Sequence, residues 1–394
     1  MGFERTIEEI NEKIRSGKVV VVTAEEIIQM AERDGYDNTF KKVDVVTTGT
    51  FGPMCSSGAF INFGHSDPPI KMQKVWLNDV PAYGGIAAVD VYIGATELSE
   101  TKGFEYGGAH VIEDLISDKP VKLKAISYVT DCYPRREIET YINRKMLNQA
   151  YLFNPRNAYQ NYVVAVNTSD RTIYTYMGIL FPKMANATYC SAGQLSPLIN
   201  DPFYDTIGIG TKIFLGGAQG FIVWEGTQHA PSVARNERGI PIGGAGTIAV
   251  IGDLKTMSRR YIRAAVFERY GVSIYIGLGI PIPILNEKIF KNVLVRDEDI
   301  HVPVIDYSVG RRKRPVLGIV NYKQLRSGSI TIRGKEIKTA PISSYKMARE
   351  IAQELKTWIL NGKFFLTNYV HPLPKEQNVK SLDINTIDDL EVEV

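Results

Sequence analysis

Three cysteines carry the residue types most able to do covalent chemistry in this chain: Cys55, Cys132 and Cys190. Cys55 lies in Thr48-Gly49-Thr50-Phe51-Gly52-Pro53-Met54-Cys55-Ser56-Ser57-Gly58, where a strand runs straight into a loop of small residues. Loops at strand carboxyl ends are where open α/β sheets place ligands. Small neighbours let a ligand approach the backbone, and free N–H groups there can stabilise a thiolate. The competing reading is a buried cysteine acting as a small hydrophobe. Cys132 lies in Ser127-Tyr128-Val129-Thr130-Asp131-Cys132-Tyr133-Pro134-Arg135-Arg136-Glu137, at another strand end, with a helix expected to begin after Pro134. A helix N-terminus and two guanidinium groups both favour thiolate over thiol, which makes Cys132 the best single nucleophile. Arg135 and Arg136 could instead clamp a substrate carboxylate, and the bland alternative is a strand-end cysteine beside two surface arginines. Cys190, in Ala187-Thr188-Tyr189-Cys190-Ser191-Ala192-Gly193, has no cationic company and reads as structural.

The histidines are scattered and show no metal-ligand spacing. His65, in Gly64-His65-Ser66-Asp67-Pro68-Pro69, and His229, after Trp224-Glu225-Gly226-Thr227-Gln228, could each move a proton or simply be hydrogen-bonded loop residues. No C-x-x-C pair is present, so neither an internal iron–sulfur cluster nor a structural zinc is expected. No dinucleotide-binding or phosphate-loop glycine motif occurs in the required setting. The chain is expected to bind no metal and no cofactor of its own.

The elements that must position these residues follow from hydrophobic spacing. Ile7, Ile10 and Ile14 predict a helix within residues 3–17. Val19–Val22 reads as a buried strand, Thr23-Ala24-Glu25-Glu26 as a capping box for a helix to about Arg33, and Val43–Thr48 as a second strand. This helix–strand–helix–strand opening predicts α/β architecture: a largely parallel or mixed sheet covered by helices, with Gly-rich loops at the strand ends. Glycine pairs mark such loops at Gly84-Gly85, Gly107-Gly108, Gly216-Gly217 and Gly243-Gly244, and the first two pairs are candidates for close approach to a substrate. Val121–Val129 reads as a strand and Arg135–Tyr151 as helical. Residues 208–252 predict short strands with tight connections, and 271–285 strand and turn. Ser343–Leu360 predicts a helix with Met347, Ile351, Leu355 and Ile359 on one stripe. Residues 1–370 are expected to form the catalytic region, in one or two subdomains, and 371–394 a polar, acidic, mobile tail.

Bulk composition sets the remaining bounds. With 46 basic and 43 acidic residues in 394, the net charge of +3 creates no field to recruit nucleic acid or a membrane. The run Arg311-Arg312-Lys313-Arg314 lacks interleaved aromatics and reads as a solvated loop. No apolar run reaches the roughly 18 residues needed to span a bilayer, the N-terminus has no signal-peptide character, and three scattered cysteines point to a reducing cytoplasm.

Taken together, several segments resemble the homocysteine biosynthesis proteins, the L-aspartate semialdehyde sulfurtransferases of methanogenic archaea and anaerobic bacteria. They are Gly49–Ala59, Asn62–Pro69, Ala82-Tyr83-Gly84-Gly85, Tyr106-Gly107-Gly108-Ala109-His110, Thr130–Arg135, Gly216–Gly220 and Gly252-Asp253-Leu254-Lys255. The resemblance implies that aspartate semialdehyde takes up sulfide-derived sulfur and leaves as homocysteine, and it assigns sulfur handling to Cys55 and Cys132. Many relatives continue into a pair of regulatory CBS domains, whereas this chain ends in a short acidic tail, which suggests a form without them. Aldehyde plus sulfide to thiol is a net reduction, so an external reductant is required. The resemblance suggests a ferredoxin-like iron–sulfur protein; a homo-oligomer is left open. On this reading Cys132 carries a persulfide whose outer sulfur attacks the aldehyde, Arg135 or Arg136 holds the carboxylate, and His65 serves the carbonyl oxygen. Cys55 then resolves the adduct as a Cys55–Cys132 disulfide, although the two cysteines could exchange roles.

Two other classes compete. One is an acyl- or coenzyme A-transferase using the Gly-rich loops and a glutamate such as Glu225. The other is a non-catalytic scaffold in sulfur assimilation.

Overall fold

The computed structural model describes residues 4–86 and 88–384. The opening folds as its spacing dictates. Thr6 and Glu9 form a reciprocal capping box for the helix Ile7–Arg15, which buries Ile7, Ile10 and Ile14. Thr23 caps the next helix, Glu26–Asp34: its hydroxyl accepts from Glu26 N–H (3.2 Å) and its N–H donates to the Glu26 carboxylate (2.7 Å). A second short helix, Tyr36–Lys42, follows Gly35. These helices supply the long crossover that a parallel pair requires, and the strands Val21–Thr23 and Val45–Thr47 do pair in parallel.

Beyond this unit the expected architecture is only partly met. The fold is mixed α/β, but its sheets are mostly antiparallel. The largest, nine-stranded, runs in the order Ile262–Phe267, Gly271–Gly279, Lys212–Leu215, Ala218–Glu225, Ile248–Asp253, Gln149–Asn157, Gly58–Asn62 and Asp90–Gly94, with Thr50–Pro53 also pairing to Gly271–Gly279. Every pairing in it is antiparallel. The reason lies in the connections. Among the described residues the one α-helix between Val121 and Ile282 is the short Pro197–Asn200, too little to bridge parallel strands. Hairpins take over, as where Gly216 and Gly217, both at positive φ (61° and 89°), join Lys212–Leu215 to Ala218–Glu225.

A six-stranded sheet, ordered Val316–Asn321, His301–Asp306, Val164–Val166, Asn186–Tyr189, Lys335–Pro341 and Ser329–Ile332, has its own apolar core around Val164, Tyr189, Val302 and Ile337. Two of its pairings are parallel. A four-stranded antiparallel sheet contains Glu137–Ile142, Val121–Ile126, Lys74–Leu77 and Val80–Ala82. The expected helix over Arg135–Tyr151 is therefore corrected. Ile138, Thr140 and Ile142 alternate as a strand requires, and only a 3-10 turn at Arg144–Met146 follows before the strand Gln149–Asn157.

The C-terminal helix Tyr345–Leu360, capped by Ser344, buries Ala348, Ile351, Ala352, Leu355 and Ile359 against the strand Thr50–Pro53 and its partner. Close approach explains Gly49, where a Cβ would collide with the Ala348 carbonyl. The chain after 370 begins docked: His371–Pro372 pairs with Gly208–Ile209, and Leu373 is buried. The acidic end expected to be mobile, from residue 385, lies outside the described residues.

A candidate active site at the Cys55 turn

The strand Thr50–Pro53 ends where Met54–Ser57 turn back into Gly58–Asn62. Ser57 closes the turn, donating from both its N–H (3.0 Å) and its hydroxyl (2.7 Å) to Met54 O. Asn154 Nδ2 in turn donates to the Ser57 hydroxyl at 2.6 Å, and Met54 N–H donates to Ile274 O at 2.7 Å. Cys55 is thus held half-buried at a fixed tip, with Sγ 2.9 Å from the hydroxyl of the fully buried Ser273.

The neighbouring strand contributes a cation through a defect in its ladder. Between Asn154 and Asn157 the pairing of Gln149–Asn157 with Ile248–Asp253 slips by one residue. A bulge of this kind re-aims side chains. Pro155, which has no N–H to give a ladder, sits inside it, and its carbonyl takes Thr227 N–H at 2.7 Å. Asn154 Oδ1 accepts from Arg156 N–H at 2.7 Å, and Arg156 then reaches the Cys55 turn, donating from Nη2 to Ser56 Oγ at 3.0 Å.

Cys55, Ser56 and Arg156 line a cavity of about 360 Å³ between the nine-stranded and six-stranded sheets, within the usual range for small-molecule sites. Tyr159, Tyr162, Tyr176, Tyr270, Gln228 and Cys190 complete its polar lining. The hydroxyls are chained: Tyr162 donates to Tyr176 at 3.3 Å, and Tyr176 shares a hydrogen bond with Tyr307 at 3.0 Å. Burial holds Tyr159, Tyr162 and Tyr270 above their ordinary pKa, so all three remain neutral donors. The Cys190 thiol is pushed up to about 12, first by burial and then by the nearness of Cys55. Cys55, Ser56, Arg156 and Tyr270 also border an adjoining hollow of about 460 Å³.

The other predicted site residues gather elsewhere. Cys132 is exposed in a turn closed by reciprocal bonds between Thr130 and Tyr133, and it borders neither the cavity nor the hollow beside it. The strand Glu137–Ile142 follows it, so the expected helix N-terminus is absent and its electrostatic support with it. His65 is exposed and stacks on Tyr133, ring centroids 5.9 Å apart at 27°. Arg135 commits its donors to the loop carrying His65, bonding Asp67 O (2.5 Å) and Pro68 O (2.9 Å). Arg136 is exposed. The structure therefore brings Cys132, His65 and Arg135 into one surface cluster and leaves Cys55 in the cavity with residues not singled out from the sequence.

Packing accounts for three of the four glycine candidates. A Cβ at Gly107 or Gly108 would strike the carbonyls of Glu97 or Gly94, and one at Gly84 would press on Val75 and Met72. Gly85 is exposed against the Tyr83 ring. His229 is buried, with Nδ1 against both the N–H (3.0 Å) and the carbonyl (2.9 Å) of Thr247 and Nε2 against Pro374 O (2.9 Å), so both ring nitrogens are occupied by backbone. Glu225 ends its strand half-buried, outside the cavity lining. Among the described residues no three His, Cys, Asp or Glu side chains converge as a metal site would need, and no helix is long and apolar enough to cross a membrane.

Arg156 had one legible signal: Pro155 inside an apolar run marks a strand irregularity. The helical reading that ended at Tyr151 concealed it. The tyrosines, Ser273 and Cys190 come together only in three dimensions.

Comparison with known proteins gives a consistent picture. The model of a family described as homocysteine biosynthesis enzyme, sulfur-incorporation, matches residues 19–366. A Methanosarcina acetivorans protein named L-aspartate semialdehyde sulfurtransferase is 54% identical over 96% of this chain and 74% of its own length. A protein of the same name from Methanocaldococcus jannaschii is 54% identical over 95% of this chain and 74% of its own. An uncharacterised protein of Methanothermobacter thermautotrophicus is 30% identical over 83% of this chain and 73% of its own. No solved structure matches.

Proposed function

We infer the chemistry of the site from one premise: the chain belongs to the sulfur-incorporating homocysteine biosynthesis enzyme family. We propose that it converts L-aspartate semialdehyde to L-homocysteine, as the names of its 54%-identical relatives indicate for them, with the carbon–sulfur bond made in the cavity at Cys55. The observation that carries this reading is a thiol fixed at 2.9 Å from Ser273 and opening onto a cavity of about 360 Å³.

In the overall balance, the aldehyde and one hydrogen sulfide take up two electrons and two protons and give the thiol and one water. When sulfur arrives as a persulfide, the outer sulfur of the Cys55 persulfide adds to the aldehyde carbon. The product is a disulfide between Cys55 and the hydroxyalkyl carbon of the substrate. Two electrons and two protons cleave its S–S bond, returning the Cys55 thiol and releasing the substrate as a hemithioacetal-like hydroxythiol. Loss of water leaves a thioaldehyde, which two further electrons and two protons reduce to homocysteine. The tyrosine hydroxyls are placed to donate to the developing alkoxide. A ferredoxin-like iron–sulfur protein supplies the electrons.

Cys132 takes the role suited to an exposed thiol, accepting sulfane sulfur at the surface with His65 beside it to remove a proton. Exchange then moves the outer sulfur from the Cys132 persulfide to the Cys55 thiol, leaving Cys132 as a thiol and Cys55 as the persulfide. This loads the cavity without net oxidation, provided the 130–133 turn of this chain or of a second copy reaches Cys55. Arg135 holds the loop for this cluster, so carboxylate binding falls to another residue.

The test is anaerobic incubation with aspartate semialdehyde, an isotopically labelled sulfane-sulfur donor and a strong low-potential reductant. Labelled homocysteine is expected. None, even with a reduced ferredoxin supplied, would remove the proposal.

A further inference from the structure

We propose that Arg156 is the anchor for the α-carboxylate of a small amino-acid substrate in the Cys55 cavity, and that the tyrosines around it read the ammonium group. The inference rests on the function proposed above and deepens it by assigning the substrate's binding group.

Among the described residues Arg156 is the one charged side chain lining the cavity; no aspartate or glutamate shares the wall. Among those residues it also has no carboxylate partner, and its side chain makes one hydrogen bond to the protein, from Nη2 to Ser56 Oγ. A guanidinium presents five donors in a planar fork that matches a carboxylate in bidentate fashion. Arg156 therefore keeps most of its donors unspent, facing a space that also holds the reactive thiol. The bulge at Asn154–Asn157 and the Asn154 bonds to Arg156 N–H and to Ser57 tie the cation and the Cys55 turn to one framework.

The rest of the wall suits the other end of an amino acid. Tyr159, Tyr162, Tyr176 and Tyr270 bring four aromatic rings to the wall, and an ammonium is attracted to the faces of such rings. The Gln228 amide adds a neutral acceptor. A carboxylate on Arg156 and an ammonium on the rings leave the short side chain, with its aldehyde, as the part free to turn towards Cys55. By contrast, Arg135 donates to two backbone carbonyls and serves the surface loop.

The experiment measures binding rather than turnover. L-homoserine, the unreactive alcohol that corresponds to the aldehyde, is titrated into the full chain by calorimetry or ligand-observed NMR, alongside 3-amino-1-propanol, which lacks the carboxylate. Loss of a charge-assisted pair predicts about 10- to 100-fold weaker binding of homoserine by Arg156→Ala, and an intermediate loss by Arg156→Lys. 3-Amino-1-propanol is expected to bind wild type and Arg156→Ala equally weakly. Homoserine binding wild type no tighter than 3-amino-1-propanol would overturn the assignment without any variant, so a poorly folded Arg156→Ala does not shield it. Unchanged affinity in a folded Arg156→Ala would also overturn it. Arg156-dependent homoserine binding without homocysteine formation sinks the proposed reaction and keeps the carboxylate site. Homocysteine formed by Arg156→Ala at unchanged KM removes the site and keeps the reaction.

Discussion

The Cys55 sulfur and the Ser273 hydroxyl meet at 2.9 Å, linking the turn after the strand Thr50–Pro53 to the strand Gly271–Gly279 that pairs with it. Ser273 is fully buried, so its hydroxyl has a fixed partner rather than a solvent alternative. The contact sets where the sulfur points. Removing it in Ser273→Ala forfeits one neutral hydrogen bond, and turnover is expected to fall about three- to tenfold with a small change in melting temperature. Steady-state rates and a thermal melt check this; full activity in Ser273→Ala would show that the sulfur needs no such guide.

The three thiols should react in a fixed order. Cys132 is exposed, Cys55 and Cys190 are both half-buried, and the Cys190 thiol is pushed up to about 12 by burial and by the nearness of Cys55. Thiolate is the nucleophile in alkylation. Iodoacetamide near pH 8 should modify Cys132 first and Cys190 last, and raising the pH towards 11 should selectively speed Cys190. Peptide mass spectrometry over time reads the order, and early labelling of Cys190 would speak against its raised thiol.

Acid should loosen the packing of the C-terminal helix. Burial disfavours the charged form of Glu26, but hydrogen bonds from Lys356 Nζ and Thr23 N–H outweigh it, and its carboxyl titrates below the ordinary value. A depressed folded-state pKa contributes stability present above the unfolded value and lost as pH falls through the folded one. Glu26→Gln should therefore melt lower than wild type at pH 7, with the gap closing as pH drops below the ordinary carboxylate range. A gap constant with pH would contradict the pairing.

Arg135 is expected to matter for loop order. Arg135→Ala strips two donors from the carbonyls of Asp67 and Pro68, a loss of about 1–3 kcal/mol. Amide hydrogen exchange over residues 63–72 should quicken while the strand Thr50–Pro53 stays protected. Equal protection in both proteins would place the loop's stability elsewhere.

Much of the local structure is legible in the sequence because it is set by nearest neighbours. The capping box at Thr23, the isoleucine stripe of the first helix and the apolar stripe ending at Ile359 each announce their element. The antiparallel sheets are less legible. Strand order depends on pairings such as Gln149–Asn157 between Gly58–Asn62 and Ile248–Asp253, which no window of sequence contains. The site divides the same way. Cys55 stands out by its small-residue loop, whereas Arg156 needs a bulge on a strand mistaken for the end of a helix. Cys190 looked inert because its company, the cavity wall, is assembled from distant segments.

The most direct test of the account is anaerobic homocysteine formation from aspartate semialdehyde and a sulfane-sulfur donor, with reductant in excess, by wild type, Cys55→Ala and Cys132→Ala. The account predicts product from wild type and its loss in both variants, with Cys55→Ala still able to carry a persulfide on Cys132. Wild-type rates from Cys55→Ala would contradict the central claim that the carbon–sulfur bond is made at the cavity thiol.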